Sequence, residues 1–337
     1  MRLEMQSEQA FPGRLVGCLA PALRAVGMDW SAALVRGYTG SAFSISMKED
    51  GEGLEQADSF EWSYFYEMLD YLNCEVINVS LSGNGYAVSP EEHTRAKAKA
   101  WDMVRRGIDD GYPAIGWWMI DKSAEKPLHA GLWSLIVGYD NETKTYSAHH
   151  AGAGEFTIGW DAFGHGDPIN WFYIMVFRPT AEPFDAVAAH RRAIERAIEG
   201  SEGKYPGVPT GGGHEKTYPH AAAAAHGMAA WEMWIKALEA ERSSAQDISR
   251  HVRFLVPLRA AAAAYLTEIE PELPAQVHQP LREAAEWYDE VVDRLKDLGD
   301  LSEQGQFDQQ EAARLVSKAY EAEQAAVGKL REVLTVM

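Results

Sequence analysis

The sequence predicts an α+β protein in two parts, a mostly antiparallel sheet with helices and then a wholly helical half. Before Pro183, short apolar runs rich in Trp, Tyr, Val and Ile are separated by Gly, Asn and Asp, the pattern of strands joined by turns. After Pro183, Ala, Glu, Leu and Arg recur with helical period over long stretches. The 337 residues, 46% of them apolar, are enough for two or three domains, each with its own core. The boundary is expected at about residue 180. It divides a sheet domain, 1–180, from a helical bundle, 181–337, with a Gly-rich linker near 200–217.

The elements follow in order. A helix is predicted over 18–26, because Leu19, Leu23 and Val26 recur at helical spacing and Gly27 stops it; Pro21 is tolerable only in its first turn. A second helix covers 29–36, and a strand follows at 42–47. Residues 49–55 are acidic and read as an exposed loop, 60–73 as an amphipathic helix, and 75–79 alternate as a strand. The sequence Ser89-Pro90-Glu91-Glu92 is a capping box with Pro at the first helical position, so a helix starts there and runs to about residue 109. Strands are expected at 113–120, 132–139, 145–150, 155–158 and 171–178, with Gly138 to Glu142 turning between the second and third. The C-terminal half should hold helices at 183–199, 218–241, 245–269, 273–298 and 307–334, packed as an antiparallel bundle. Pro257 should kink or split the third of these.

The 31 basic against 50 acidic side chains leave a net charge of −19, which argues against a protein that tracks nucleic-acid phosphates. No run of apolar residues approaches membrane-span length. Leu15-Val16-Gly17-Cys18 matches a lipoprotein cleavage box, but Glu4, Gln6, Glu8, Gln9 and Arg14 occupy the place of the apolar stretch that such a signal needs. The two cysteines, Cys18 and Cys74, are too few for a disulfide framework and fit a reducing cytoplasm. Small molecules or proteins remain as partners, with no nucleic acid and no membrane.

Chemistry centres on Cys18. At a helix start, the dipole and the free amides of the first turn stabilise a thiolate; the alternative is a small buried residue packing that helix on the sheet. Cys74, inside a strand-like run, reads as a packing thiol. A thiol nucleophile needs a base, which makes His129, His149 and His150 the candidates. Alternation along the strand sends His149 and His150 to opposite faces, so only one can share a site with Cys18. Among the aromatic residues, Trp117, Trp118 and Trp133 are mostly core, and one of them can floor a pocket. His165 reads as a turn residue. His214, His220 and His226 share no helical face and imply no metal site. Gly211-Gly212-Gly213 lacks the ending of a phosphate loop and reads as linker; no cofactor is implied.

With these residues in place, the chain resembles the papain-like fold of C39-type peptidases. Within that group it is most similar to proteins carrying a domain like the N-terminal domain of butirosin biosynthesis protein H. The resemblance rests on Cys18-Leu19, Ala22-Leu23, Gly27, the segment Gly37-x-x-Gly40-Ser41-Ala42-Phe43, the Gly-Tyr-Pro-Ala-Ile-Gly strand at 111–116 and Gly138-Tyr139-Asp140. The helical half is similar to the tail of many such proteins in Gly227-x-x-Ala230-Trp231-x-x-Trp234-Ile235-x-x-Leu238 and Arg259-x-Ala261-Ala262-x-x-x-Leu266. The resemblance implies cysteine-dependent acyl chemistry: amide cleavage, or transfer of an acyl group from a carrier thioester to an amine. Cys18 carries over as the nucleophile. The family's catalytic His falls on Leu132, with His129 nearby; its orienting Asp falls on His150, and its oxyanion Gln falls on Pro12.

Two functions follow as expectations. One is acyl transfer or amide hydrolysis on a small-molecule or acyl-carrier-type substrate, with Cys18 attacking and His150 or His129 shuttling the proton, and with Trp117, Trp118, Trp133 and His149 lining the substrate. The other is a papain-like protein that has lost the chemistry and binds a small molecule or peptide. The helical half additionally offers a surface for homo-oligomer formation.

Overall fold

The computed structural model describes residues 1–5, 15–47, 74–81, 89–117, 119, 133–150, 154–162, 172–180, 184–204, 225–303 and 307–337. The expected loop at 49–55 and helix at 60–73, together with Trp118, His129, Leu132, His165 and the linker glycines, lie outside them. The class is α+β, and the chain forms two compact units. The first gathers the described residues of 1–32 and 74–184, the second those of 33–47 and 185–337.

In the first unit, α1 is Leu15–Ala25, β2 is Cys74–Leu81, α3 is Pro90–Asp109, β3 is Ala114–Trp117, β4 is Trp133–Asp140, β5 is Thr145–His150, β6 is Gly154–Gly159 and β7 is Phe172–Pro179. The six strands form one antiparallel sheet in the order β2-β7-β3-β4-β5-β6. The capping box forms as its residues require: the Ser89 hydroxyl accepts from the Glu92 amide, and the Glu92 carboxylate accepts from the Ser89 amide. Strand alternation sends Ala114, Ile136, Tyr146, Ala148, Ile158, Ile174 and Val176 to one face, where they pack with Ala100, Trp101, Val104 and Ile108 of α3. Helix α1 packs on β3, β4 and β7. None of its side chains joins that cluster, so α1 covers the opposite face, where Ile115, Leu135 and Met175 point.

In the second unit, α2 is Ala32–Tyr38, followed by a 3-10 turn at Ser41–Phe43 and by β1, Ser46–Met47, which pairs antiparallel with β8, Ala225–His226. The longer helices are α4, Ala186–Ser201; α5, Met228–Glu239; α6, Ala245–Ile269; α7, His278–Glu303; and α8, Gln309–Val336. Helix α7 packs against α6 and α8, and α8 packs against α5 and α4. Their shared core includes Trp231, Trp234, Leu255, Leu258, Val291, Leu295, Val316 and Ala319.

Several expectations need correction. The chain changes unit at Phe184/Asp185, but residues 33–47 also group with the helices, because Arg259 of α6 binds the Ala42 and Ser44 carbonyls at 2.9 and 3.0 Å and β1 pairs with β8. Helix α6 is not split at Pro257, whose neighbours Leu255 and Leu258 are buried; packing outweighs the hydrogen bond that Pro removes. The described part of the helix expected at 218–241 begins only at Met228, since Ala225 and His226 are used in the ladder with β1. The helix expected at 273–298 starts at His278, after two 3-10 turns at Glu270–Glu272 and Ala275–Val277, and continues to Glu303.

One glycine on α2 has a specific task. A Cβ at Gly37 would lie 2.2 Å from the Tyr265 ring, which is itself fully buried. Gly37→Ala is expected to destabilise by about 1–3 kcal/mol, as overpacking of a closed core does, measurable as a drop in the urea midpoint with unchanged slope.

Candidate functional site

The site is assembled on the sheet face that α1 covers. Helix α1 begins at Leu15, so Cys18 is its fourth residue and not its opening one. Cys18 therefore lies at least three residues past the helix start, where the helical ladder has begun. Pro21 then falls inside the helix and not in its first turn. The Cys18 side chain is 2% exposed, and burial pushes its thiol up to about 12. Among the described residues it has no hydrogen-bond partner. Cys74 is likewise buried, and burial raises its thiol to about 12.

The pairing register decides between the two adjacent histidines. His149 lies opposite Leu135, which lies opposite Ile115, so His149 shares the α1 face. His150 and Ala148 share the other face, covered by α3. His150 therefore does not stand on the face of Cys18, and the position that the resemblance assigns to it is turned away from the thiol. His149 Nε2 lies 3.5 Å from Glu155 Oε1, its opposite number on β6, and Glu155 is also paired with Arg2 at 2.5 Å. Burial lowers the proton affinity of His149 below the ordinary value, with Glu155 opposing and Arg2 assisting the shift. Burial lowers that of His150 as well. Both rings are therefore neutral near pH 7, the state that a proton acceptor requires.

Next to this row of side chains runs an aromatic one. Trp117 lies opposite Trp133 on β4 and opposite Tyr173 on β7. Ring centroids are 6.0 Å apart for Trp117 and Trp133 and 6.1 Å for Trp133 and Tyr173. Trp133 is buried, while Trp117 and Tyr173 are half-buried. By alternation this row is on the α1 face, the next same-face positions from Ile115, Leu135 and Met175. Cys18, His149, Glu155, Trp117, Trp133 and Tyr173 are thus brought to one side of the sheet.

Sequence reasoning missed Glu155 and Arg2, because cross-strand partners are set by register. The one available signal was the short connection between β5 and β6, which makes a hairpin and pairs His149 with a residue soon after it. Among the described residues no three His, Cys, Asp or Glu side chains come together as a metal site requires. No helix among them is long and apolar enough to cross a membrane. Compared with known families and with curated proteins, the chain matches no family model and no curated sequence.

Proposed function

We propose that the first unit is a papain-like domain of the C39 kind that binds a small molecule or a peptide without acting on it, and that the second is a helical bundle attached to it. The observation that carries this function is the state of Cys18. A nucleophilic cysteine needs a depressed proton affinity, partial exposure and a base within hydrogen-bond reach. Cys18 is buried, its thiol is held protonated by that burial, and it bonds to no imidazole among the described residues. The aromatic row of Trp117, Trp133 and Tyr173 supplies the floor that a ligand with a flat or apolar part would use. The strong net acidity fits a protein that avoids nucleic acid, and two buried free thiols fit a reducing cytoplasm.

Iodoacetamide tests this at about pH 8. A thiol held near 12 should react at least about a hundredfold more slowly than a model thiol, because only the thiolate attacks, and should label fully once the protein is unfolded. Ligands found by thermal shift among amine-bearing metabolites and short peptides should stabilise Cys18→Ala as well as the parent, and neither protein should turn them over. Fast labelling of Cys18 in the folded protein, or a turnover lost in Cys18→Ala, would sink the binding function.

A second function is favoured by one observation, the placement of His149 with its Glu155 partner on the α1 face. An imidazole oriented by a carboxylate is the base that a cysteine acyltransferase or amidohydrolase uses. In that case His149, and not His150, is the proton shuttle, and Glu155→Gln lowers turnover by lowering kcat more than by raising KM.

A further inference from the structure

We propose that residues 33–47 form a strap on the helical unit that acid loosens at two places, Tyr38 and Ser46, each of which is tied by its hydroxyl to a histidine nitrogen.

The first tie is Tyr38. Its Oη lies 2.8 Å from Nδ1 of His190 on α4, and Nε2 of the same ring lies 3.2 Å from Glu272 Oε2. A carboxylate can only accept, so Nε2 carries the hydrogen and Nδ1 the lone pair, and the Tyr38 hydroxyl must donate. Every polar atom of the neutral ring is then satisfied. The ring is 1% exposed, while Glu272, on the 3-10 turn after α6, is 49% exposed. The groups facing it are Tyr38 from α2, Tyr265 from α6 and Glu272 from the turn. Arg196 on its own helix turns instead to the Tyr38 carbonyl at 3.0 Å.

The second tie is at the far end. Ser46 is opposite His226 in the β1–β8 ladder, and its Oγ lies 2.9 Å from His226 Nδ1. Ser46 is fully buried. The middle of the strap is held differently, by the Arg259 guanidinium on the carbonyls of Ala42 and Ser44. Arginine stays charged at every pH a protein survives, so this central tie is indifferent to acid.

Adding a proton at Nδ1 of His190 points an N–H at the oxygen that was donating to it. The Tyr38 hydrogen must turn away, and a cation is left where water cannot reach it. At the other tie His226 is half-buried, and its added charge is disfavoured by partial burial alone. Burial outweighs Glu272 and holds His190 below its ordinary proton affinity, and burial acts alike on His226. A released ring regains the ordinary value of about 6.5. The closed strap is therefore fully favoured above about pH 6.5 and loses ground as pH falls toward the lowered value of the closed form. Between about pH 7.5 and pH 5.5 the opening equilibrium should rise, by at most about tenfold for each histidine.

Hydrogen exchange on the full chain tests this, with rates corrected for their intrinsic pH dependence. The amides of Thr39 and Phe43, bonded to the Val35 and Gly40 carbonyls, should lose protection over that range, and by a larger factor than amides of α7 and α8. His190→Gln with His226→Gln replaces both rings by amides that can accept and donate without titrating, and should flatten the pH dependence of the strap. Equal loss of protection in the strap, α7 and α8 would overturn the proposal. So would a strap that keeps its protection at about pH 5.5, or a pH dependence that survives in the double variant. The comparison within the parent protein stands even if the variant fails to fold.

Discussion

Replacing Glu323 by Gln should destabilise the helical unit by about 3–5 kcal/mol, the usual cost of leaving one partner of a buried ion pair alone. Glu323 meets Arg259 in a two-pronged contact, Nε to Oε2 at 2.6 Å and Nη2 to Oε1 at 2.7 Å, with side chains 2% and 0% exposed. The guanidinium also stands 5.9 Å from the centre of the Trp231 ring. Once the carboxylate is gone, the buried guanidinium loses the counter-ion that accepts two of its hydrogen bonds. Urea unfolding would show the loss as a lower midpoint. The double variant Arg259→Met with Glu323→Leu should recover part of it, because two apolar groups need no solvation. Recovery should stop short by about 1–3 kcal/mol, since the Ala42 and Ser44 carbonyls lose the donor that satisfies them. Full recovery would mean that those carbonyls find other donors, and no loss in Glu323→Gln would remove the ion pair as a support of the fold.

His251→Phe should have the opposite sign. The His251 ring is 3% exposed on α6, its edge meets Trp234 with centroids 4.6 Å apart, and neither ring nitrogen has a hydrogen-bond partner. Burial, with smaller contributions from Arg259 and Arg250, pushes its proton affinity down to about 3. The folded state thus refuses a proton that the unfolded state takes near 6.5. Stability is unaffected well above pH 6.5 and falls with acid below it, by about 2 kcal/mol at pH 5 from this one residue. The slope continues until the folded ring titrates near 3. Phe carries no polar atom and no proton, so the variant should be more stable than the parent by about 1–3 kcal/mol at neutral pH. The gain should widen as pH falls. Thermal unfolding at several pH values reads both effects; a variant that is less stable at neutral pH and keeps the parent's slope would show that the imidazole is satisfied in solution.

Local sequence chemistry placed many elements well. Helix α3 starts at Pro90 because Ser89 and Glu92 satisfy each other's amides whatever lies nearby, and β5 spans Thr145–His150 as its alternation and the preceding turn require. Helix α1 was less legible. Leu15 and Val16 are buried as well as Leu19 and Leu23, so packing extends the helix past the point where spacing alone starts it. That extension moves Cys18 into the helix and changes its chemistry. Trp117 and Trp133 were visible as residues for a pocket floor, but their alignment with Tyr173 depends on two strand registers. The grouping of residues 33–47 with the helices was not visible, because the Arg259 that holds them is 217 and 215 residues away in the chain.

By itself the sequence determined the α+β class, the change from sheet to helix near residue 180, and the short list of cysteine, histidine and tryptophan residues able to carry a function. These follow from periodicity, capping and turn chemistry, which act over a few residues. Tertiary structure decided which histidine shares a face with Cys18, whether that thiol is ionised, and which side chains bind the strap to the helices. Those outcomes depend on register, burial and pairing between distant residues, since the dielectric around a side chain and the partner across a strand are properties of the packed chain and not of its neighbours in sequence.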